Sequence, residues 1–400
     1  MTLAAAPGAG RLTAWNNRVL LLAAVLSAPL AGVAPLGFAA LTALCGVLAL
    51  PGMRFEPRHL PAVVPALVLM AWAAISALWT PYRPDRVEEW MAVKLIAEGV
   101  VFWSAVRLAA GASEEGRRLA LVAFAWAMAI AGLFMVEEAL SGAWVYQQLR
   151  ELTGDPTRPD LAAKNVAQGA FALALLTPSA AVGGWRAGAP WALGLVMVAG
   201  VVAAGVAFDT DAPLLALVVA VAAGGLAMRW PTAGPVTLAV LAVVFWLSGP
   251  TLVLLAKAGG LWDPIQAAAP LSWSQRMDYW SNAVRLIAEH PIRGWGMEAS
   301  RTFAPAIKLH PHDASLQVWL ELGAVGALCV AAFWTAILMR LRRDRPDAAV
   351  AAGVASAAVY LLFAAVSFGV WQEWLVALGA LAAVFAFAAE LTPRRIDRRE

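Results

Sequence analysis

The sequence predicts an all-α, polytopic integral membrane protein with about twelve transmembrane helices and a polar cap between the ninth and the tenth. Three observations carry that expectation. Of the 400 residues, 62% are hydrophobic and only 14% are charged, against about 45–50% and about 25% in an ordinary soluble domain. A soluble fold of this size has no interior large enough to hide so much apolar side chain. The apolar residues also fall in continuous runs rather than alternating, which excludes a strand barrel and leaves helices to satisfy the backbone in lipid. A soluble enzyme, a disordered chain and a nucleic-acid module are excluded, so no nucleic acid is expected as a partner.

The runs follow one another along the chain. The first two, 17–34 and 35–50, are short and meet at Pro29 and Pro35. Arg11 and Arg18 ahead of Val19–Leu26 resemble a signal peptide, but the many spans that follow favour an uncleaved anchor. Next come 61–79, 91–109 and 118–137; in the second of these, Lys94 and Glu98 stand one turn apart, within reach of pairing. The runs 165–183, 190–208, 212–228 and 233–256 follow, with very short turns at 209–211 and 229–232. The runs 315–339, 347–367 and 371–390 end the series. Cys45 and Cys329 lie in separate runs, so neither a disulfide framework nor a thiolate metal cage is expected. With no repeat and no separate soluble domain, residues 1–400 read as a single membrane domain.

Orientation follows from Lys and Arg. The net charge is only +3, but its distribution is uneven. With the amino terminus inside, the short inner loops are basic, above all at Arg340, Arg342, Arg343 and Arg345 and in the tail Arg394, Arg395, Arg398 and Arg399. Both termini are therefore expected inside. Three outer segments are longer than turns: 80–90, about 141–164 and about 257–313. Long loops carry function, which places the activity on the outer face. There is no P-loop, dinucleotide fingerprint or Gly-x-Ser-x-Gly elbow, so the energy for any chemistry must arrive with an activated substrate.

The third outer segment holds the residues with chemistry. Ser274 is expected to cap a helix from Gln275, on which Met277, Trp280, Val284 and Ile287 form one apolar stripe facing either the bilayer or the bundle. His290-Pro291, Gly294 and Gly296 make the next stretch a turn. His310-Pro311-His312-Asp313 then stands at the mouth of the tenth span and holds two of the four histidines in the chain. In one reading Asp313 is a helix cap and the histidines sit in headgroup water. In the other an imidazole stands at the membrane rim as a general base. Glu321 lies about two turns into the span, where an ionisable group is a functional candidate, and Gly323 and Gly326 allow close helix packing.

In these residues the segment resembles the O-antigen ligase and polymerase family of bacterial envelope glycosyltransferases. The family pattern is a histidine, then Asn, Ser or Gln, nine residues, Gly, two residues and Gly. It is matched by His312, Asp313, Ala314–Leu322, Gly323 and Gly326. The upstream stretch Ser274–Arg276, Trp280, His290-Pro291, Gly294 and Gly296 is similar to the family's arginine-to-glycine run. Two departures stand out. Asp313 replaces a neutral amide or hydroxyl, and its charge is expected to raise the pKa of the neighbouring imidazole. The place of a family Ser-Arg pair is taken by Phe208-Asp209-Thr210-Asp211, which has no arginine.

The resemblance implies glycan transfer from an undecaprenyl-diphosphate carrier on the periplasmic face of the bacterial inner membrane. A ligase passes the glycan to lipid A–core; a polymerase of O-antigen or exopolysaccharide passes it to another carrier-linked glycan. The twelve runs, the moderate loop and the basic tail lean toward the ligase. The diphosphate leaving group needs cationic stabilisation, for which guanidinium is geometrically suited. Arg276 is the first candidate, at what is expected to be a helix start. Arg158 and Lys164, followed by Asn165, are the substitutes for the missing arginine. His312 is the expected catalytic base. His310, Asp313 and Glu321 join the binding residues, and Pro311 is expected to turn His310 away. No cofactor and no metal are expected, although Asp209-Thr210-Asp211 has the spelling of a metal motif. Membrane lipids are expected as surroundings, and a monomer or weak oligomer as the assembly. A lipid or glycan transporter without chemistry is the competing class. Transporters gather charges at the midplane, whereas the notable groups here gather at the outer rim.

Overall fold

The computed structural model describes residues 9–394. Arg395, Asp397, Arg398, Arg399 and Glu400 of the tail lie outside the described residues. Among the described residues fifteen α-helices succeed one another: α1 (Ala9–Val33), α2 (Phe38–Ala49), α3 (Leu60–Ser76), α4 (Met91–Gly111), α5 (Glu114–Ser141), α6 (Trp144–Leu152), α7 (Pro159–Ala187) and α8 (Ala192–Ala207), followed by α9 (Asp211–Arg229), α10 (Ala233–Ala258), α11 (Trp262–Ala268), α12 (Leu271–Glu289), α13 (Ala314–Arg340), α14 (Ala348–Val366) and α15 (Glu373–Glu390). The all-α, multi-pass class expected from composition is the class observed.

Every apolar run of the sequence is helical. Among the described residues ten helices are long and apolar enough to cross a membrane. The two remaining runs fall short for separate reasons: α4 carries Lys94, Glu98 and Arg107, and α8 has 16 residues. Large apolar side chains such as Leu133, Ile130, Val218 and Val221 stay exposed on the outside of the bundle, where lipid rather than water suits them.

The core forms around α7 and α14, the most deeply buried of the long helices. Phe124 of α5 stacks on Phe385 of α15 at 3.7 Å between ring centroids. Ser179 and Ser356 join α7 to α14 through a 3.2 Å hydroxyl contact. Gly132 and Gly200 let the backbones of α5 and α8 touch; a Cβ on Gly200 would lie 2.5 Å from Gly132. Small residues at crossings are the usual means of packing helices in lipid.

Chain order puts alternate helix ends on two faces. One face gathers basic residues and pairs them: Arg107 with Glu56 at 3.0 Å, Arg186 with Asp347 at 3.1 Å and Arg343 with Glu390 at 2.5 Å. The opposite face carries α6, α11, α12 and the segment leading into α13.

Two local readings are corrected. The α12 helix begins at Leu271 with Pro270 before it, not at Gln275, and the backbone N–H of Ser274 donates to the Pro270 carbonyl. Pro270 stands at the N-cap position, and no side chain caps the helix. Lys94 does not pair with Glu98. Its ammonium lies 2.6 Å from Glu373, because the fold sets the start of α15 beside α4, a contact between residues far apart in sequence.

Candidate functional site

The site is built around a break in α13. Gly323 has φ 65° and ψ −161°, outside the helical region and in a quadrant that only glycine adopts without strain. The break leaves helix carbonyls and N–H groups without helical partners, and the turn 291–296 satisfies them. Trp295 N–H donates to the Leu320 carbonyl at 2.9 Å and Gly296 N–H to that of Glu321 at 2.8 Å. Ala324 N–H donates to the Pro291 carbonyl at 2.9 Å, and the Trp72 indole donates to the Leu322 carbonyl at 2.9 Å. This pairing is the condition for irregular backbone at membrane depth. It also explains the glycines. A Cβ on Gly323 would lie 2.2 Å from the Ile292 carbonyl oxygen, and one on Gly294 2.3 Å from that of Glu321. The two glycine motifs of the sequence are the two sides of one contact.

Glu321, just before the break, is 0% exposed. Its carboxylate accepts from Ser300 Oγ at 2.6 Å, Trp371 Nε1 at 2.6 Å, Glu298 N–H at 3.0 Å and Gln317 Nε2 at 3.1 Å. Four donors compensate its burial. The carboxylate ties together the 298–300 turn, α13 and the α14–α15 connection.

The apolar stripe of α12 faces the bundle rather than the bilayer. Met277, Val284 and Ile287 are buried against Ile307, Leu316 and Leu320, and the Trp280 indole donates to the Pro311 carbonyl at 3.0 Å. This seat carries Arg276 to the end of α14, where Nη1 donates to the Val366 carbonyl at 2.8 Å. The guanidinium lies over Trp273, 5.0 Å from the ring centroid. Arg276 sits in the second turn of α12, so the N–H groups of a helix start do not support it as expected. Among the described residues it has no ion-pair partner, and burial lowers its pKa.

His312 meets the same helix end. Its Nδ1 is 3.1 Å from the Ser367 carbonyl. A carbonyl only accepts, so Nδ1 carries the proton and Nε2 keeps its lone pair. Burial pushes the His312 pKa below its ordinary value of 6.5 and Arg276 adds to the shift, while the Ser367 bond opposes it. The expected rise caused by Asp313 is not found. The Asp313 carboxylate caps α13, accepting from Leu316 N–H at 2.9 Å, and burial pushes its own pKa up to about 7.

His310 does not turn away. His312 has φ 59°, which folds the chain back after Pro311 and brings the two rings to 4.2 Å between centroids. The His312 N–H donates to His310 Nδ1 at 3.2 Å, so the proton of the neutral His310 ring is on Nε2. Burial first, then His312, lowers its pKa to about 3.

His310 lines a cavity of about 640 Å³ on the α12 side of the bundle. Sequence reading missed most of its charged wall. Lys94 pairs there with Glu373, and Arg301 with Glu298 at 2.9 Å. Arg301 and Glu298 lie in the segment already singled out, but no spacing marks them. Arg158, Lys164 and Asn165, in the first turns of α7 before Gln168, do not line the cavity. Arg158 is exposed and pairs with Asp160 at 2.8 Å, Lys164 is exposed, and Asn165 donates to the Tyr146 hydroxyl at 3.0 Å. Among the described residues no three His, Cys, Asp or Glu side chains gather where they could hold a metal ion.

A multi-pass helical bundle thus carries, at one face, a histidine with a free Nε2, an arginine without an ion-pair partner and a polar cavity. Residues 166–331 match the family described as O-Antigen ligase, so the resemblance read from the sequence to the O-antigen ligase and polymerase family is borne out. The matched stretch runs from α7 through α13 and contains Arg276, both histidines, the 291–296 turn and the break at Gly323. It supports an activity of the O-antigen ligase or polymerase type, that of a glycosyltransferase-like membrane enzyme with a lipid-linked glycan and a lipid acceptor. No match was found among curated proteins.

Proposed function

We propose that the protein is an O-antigen ligase of the bacterial inner membrane, with both termini cytoplasmic and residues 257–313 periplasmic. It transfers glycan from an undecaprenyl-diphosphate carrier to lipid A–core, without a metal and with inversion. The observation that carries this reading is the pair formed by Arg276 and His312 on adjacent carbonyls at the end of α14.

In the reaction the acceptor hydroxyl approaches Nε2 of His312. As its oxygen bonds to the anomeric carbon, the proton passes to Nε2. The bond from that carbon to the diphosphate oxygen breaks on the opposite face, which inverts the centre. The electron pair leaves on the diphosphate, whose growing charge is met by the guanidinium of Arg276. The Ser367 carbonyl fixes the tautomer and stabilises the imidazolium that forms, as an orienting acceptor does for other catalytic histidines. Arg276 suits the anionic role because no carboxylate neutralises it, unlike Arg158, Arg301 and Lys94.

The test is deletion of the gene followed by electrophoresis of the lipopolysaccharide. Loss of the ligase leaves bare core while polymerised glycan accumulates on the carrier. Core bearing a single repeat unit would assign a polymerase instead, and an unchanged pattern would refute both.

A further inference from the structure

Beside the two histidines, the cavity has walls of a chemical kind that the transfer step does not use. Its cations are already neutralised: Lys94 by Glu373 at 2.6 Å and Arg301 by Glu298 at 2.9 Å. Glu89 on the same wall lies 4.0 Å from Arg86 and forms a third, looser ion pair. An anion gains little in such a place. A hydroxyl-rich ligand gains much, because each ion pair offers donors and acceptors side by side.

The neutral wall residues agree. Gln168 of α7 lines the cavity, and its side chain has no hydrogen-bond partner among the described residues. His310 has its proton on Nε2 and donates. Trp371 and Trp374 also border the space, and their indole N–H groups are engaged by Glu321 and Gln372. Both rings are buried, 9% and 5% exposed, and form an apolar floor beneath the polar wall. At the rim, Leu36 is 61% exposed and stands with Ala39 at the corner between α1 and α2, an apolar lip that a lipid-anchored molecule can cross. The volume lies within the range of about 300–1,000 Å³ usual for small-molecule sites.

We infer that this cavity is a saccharide-binding subsite, in which Arg301–Glu298, Lys94–Glu373, Gln168 and His310 take the hydroxyls of a sugar next to the reacting centre. The inference rests on the transfer reading for its biological sense, but not for its test. Both substrates of that reaction carry sugars, and the shared chemistry is the polyol.

The full chain, purified in detergent, is titrated by calorimetry with core oligosaccharide released from lipid A, with carrier-free O-glycan and with inorganic diphosphate. One of the saccharides binds, and which one does so assigns the subsite to acceptor or donor. Arg301→Ala, His310→Ala and the nearly isosteric Gln168→Leu each weaken that binding about tenfold, the loss expected for one or two hydrogen bonds. Gln168→Leu removes no hydrogen bond within the protein, so it keeps the test valid if the other variants misfold. Absence of binding by both saccharides, binding untouched in folded variants, or diphosphate binding that depends on Arg301 would each overturn the inference. The titration reads no turnover. A null titration beside normal transfer in cells defeats the subsite alone, and absent transfer beside saccharide binding defeats only the ligase reading.

Discussion

Arg276 and His312 hang from neighbouring carbonyls: Nη1 of Arg276 lies 2.8 Å from Val366 O and Nδ1 of His312 3.1 Å from Ser367 O. The last carbonyls of a helix have no partners within it and carry the negative end of its dipole. The end of α14 thus orients a guanidinium and an imidazole at one place. Removing the base is expected to cost about 10²–10⁴ in rate, so His312→Ala should abolish detectable transfer in membranes while the protein still inserts. Arg276→Lys keeps the charge but loses the planar fork, and transfer should fall strongly. Wild-type rates in either variant would remove that residue from the reaction.

The pH dependence has a definite sign. A base works in its deprotonated form, and burial with Arg276 nearby moves the His312 pKa below 6.5. The acid limb of the transfer rate should therefore lie below pH 6.5, with a flat rate from there through neutrality. Asp313, pushed up to about 7, titrates nearer neutrality. Asp313→Asn removes that titration and keeps a good cap, whereas Asp313→Ala costs about 0.5–2 kcal/mol of stability. A half-maximal rate above pH 6.5 in the asparagine variant would contradict the lowered pKa of His312.

Gly323→Ala tests the break in α13. The φ of 65° and the Ile292 carbonyl 2.2 Å from a new Cβ both oppose the side chain. Strain at such a position is of order 1–3 kcal/mol, before the clash is counted. The thermal midpoint in detergent should drop, and transfer should drop with it because the 291–296 turn loses its seat. An unchanged midpoint would mean that the break closes into regular helix at no cost.

For Glu321, the four donors it receives decide the outcome. Glu321→Ala leaves them buried without a partner, each at about 1–3 kcal/mol, and should prevent accumulation of folded protein. Glu321→Gln replaces one acceptor oxygen by a donor and should be milder in a melting curve. Equal stability of Glu321→Ala and wild type would show that water replaces the carboxylate.

Orientation is open to labelling. Cysteine at Ala268, exposed at the end of α11, should react with an impermeant reagent from the periplasm, and cysteine at Asp344, exposed between α13 and α14, should not. The reverse pattern would place the site on the cytoplasmic face and end the ligase proposal.

Much of this protein is fixed by properties that act over a few residues. Runs of apolar side chain dictated the helices, because in lipid a chain must bond its own backbone. The spacing of His312, Gly323, Gly294 and Gly296 marked the site, because a helix break and the turn that fills it each need glycine where backbones touch. The seat of the apolar stripe of α12 was left open between bilayer and bundle, since periodicity gives a face and not its partner. Tertiary structure decided the rest. Arg276 reaches Val366 across 90 positions and His312 reaches Ser367 across 55. Lys94 meets Glu373 across 279 positions in place of its neighbour Glu98. No local pattern encodes such meetings, because a charge carries no mark of the partner that folding will bring to it. The cavity wall of Arg301, Glu298, Lys94 and Glu373 therefore exists only once α4, α13 and α15 have packed.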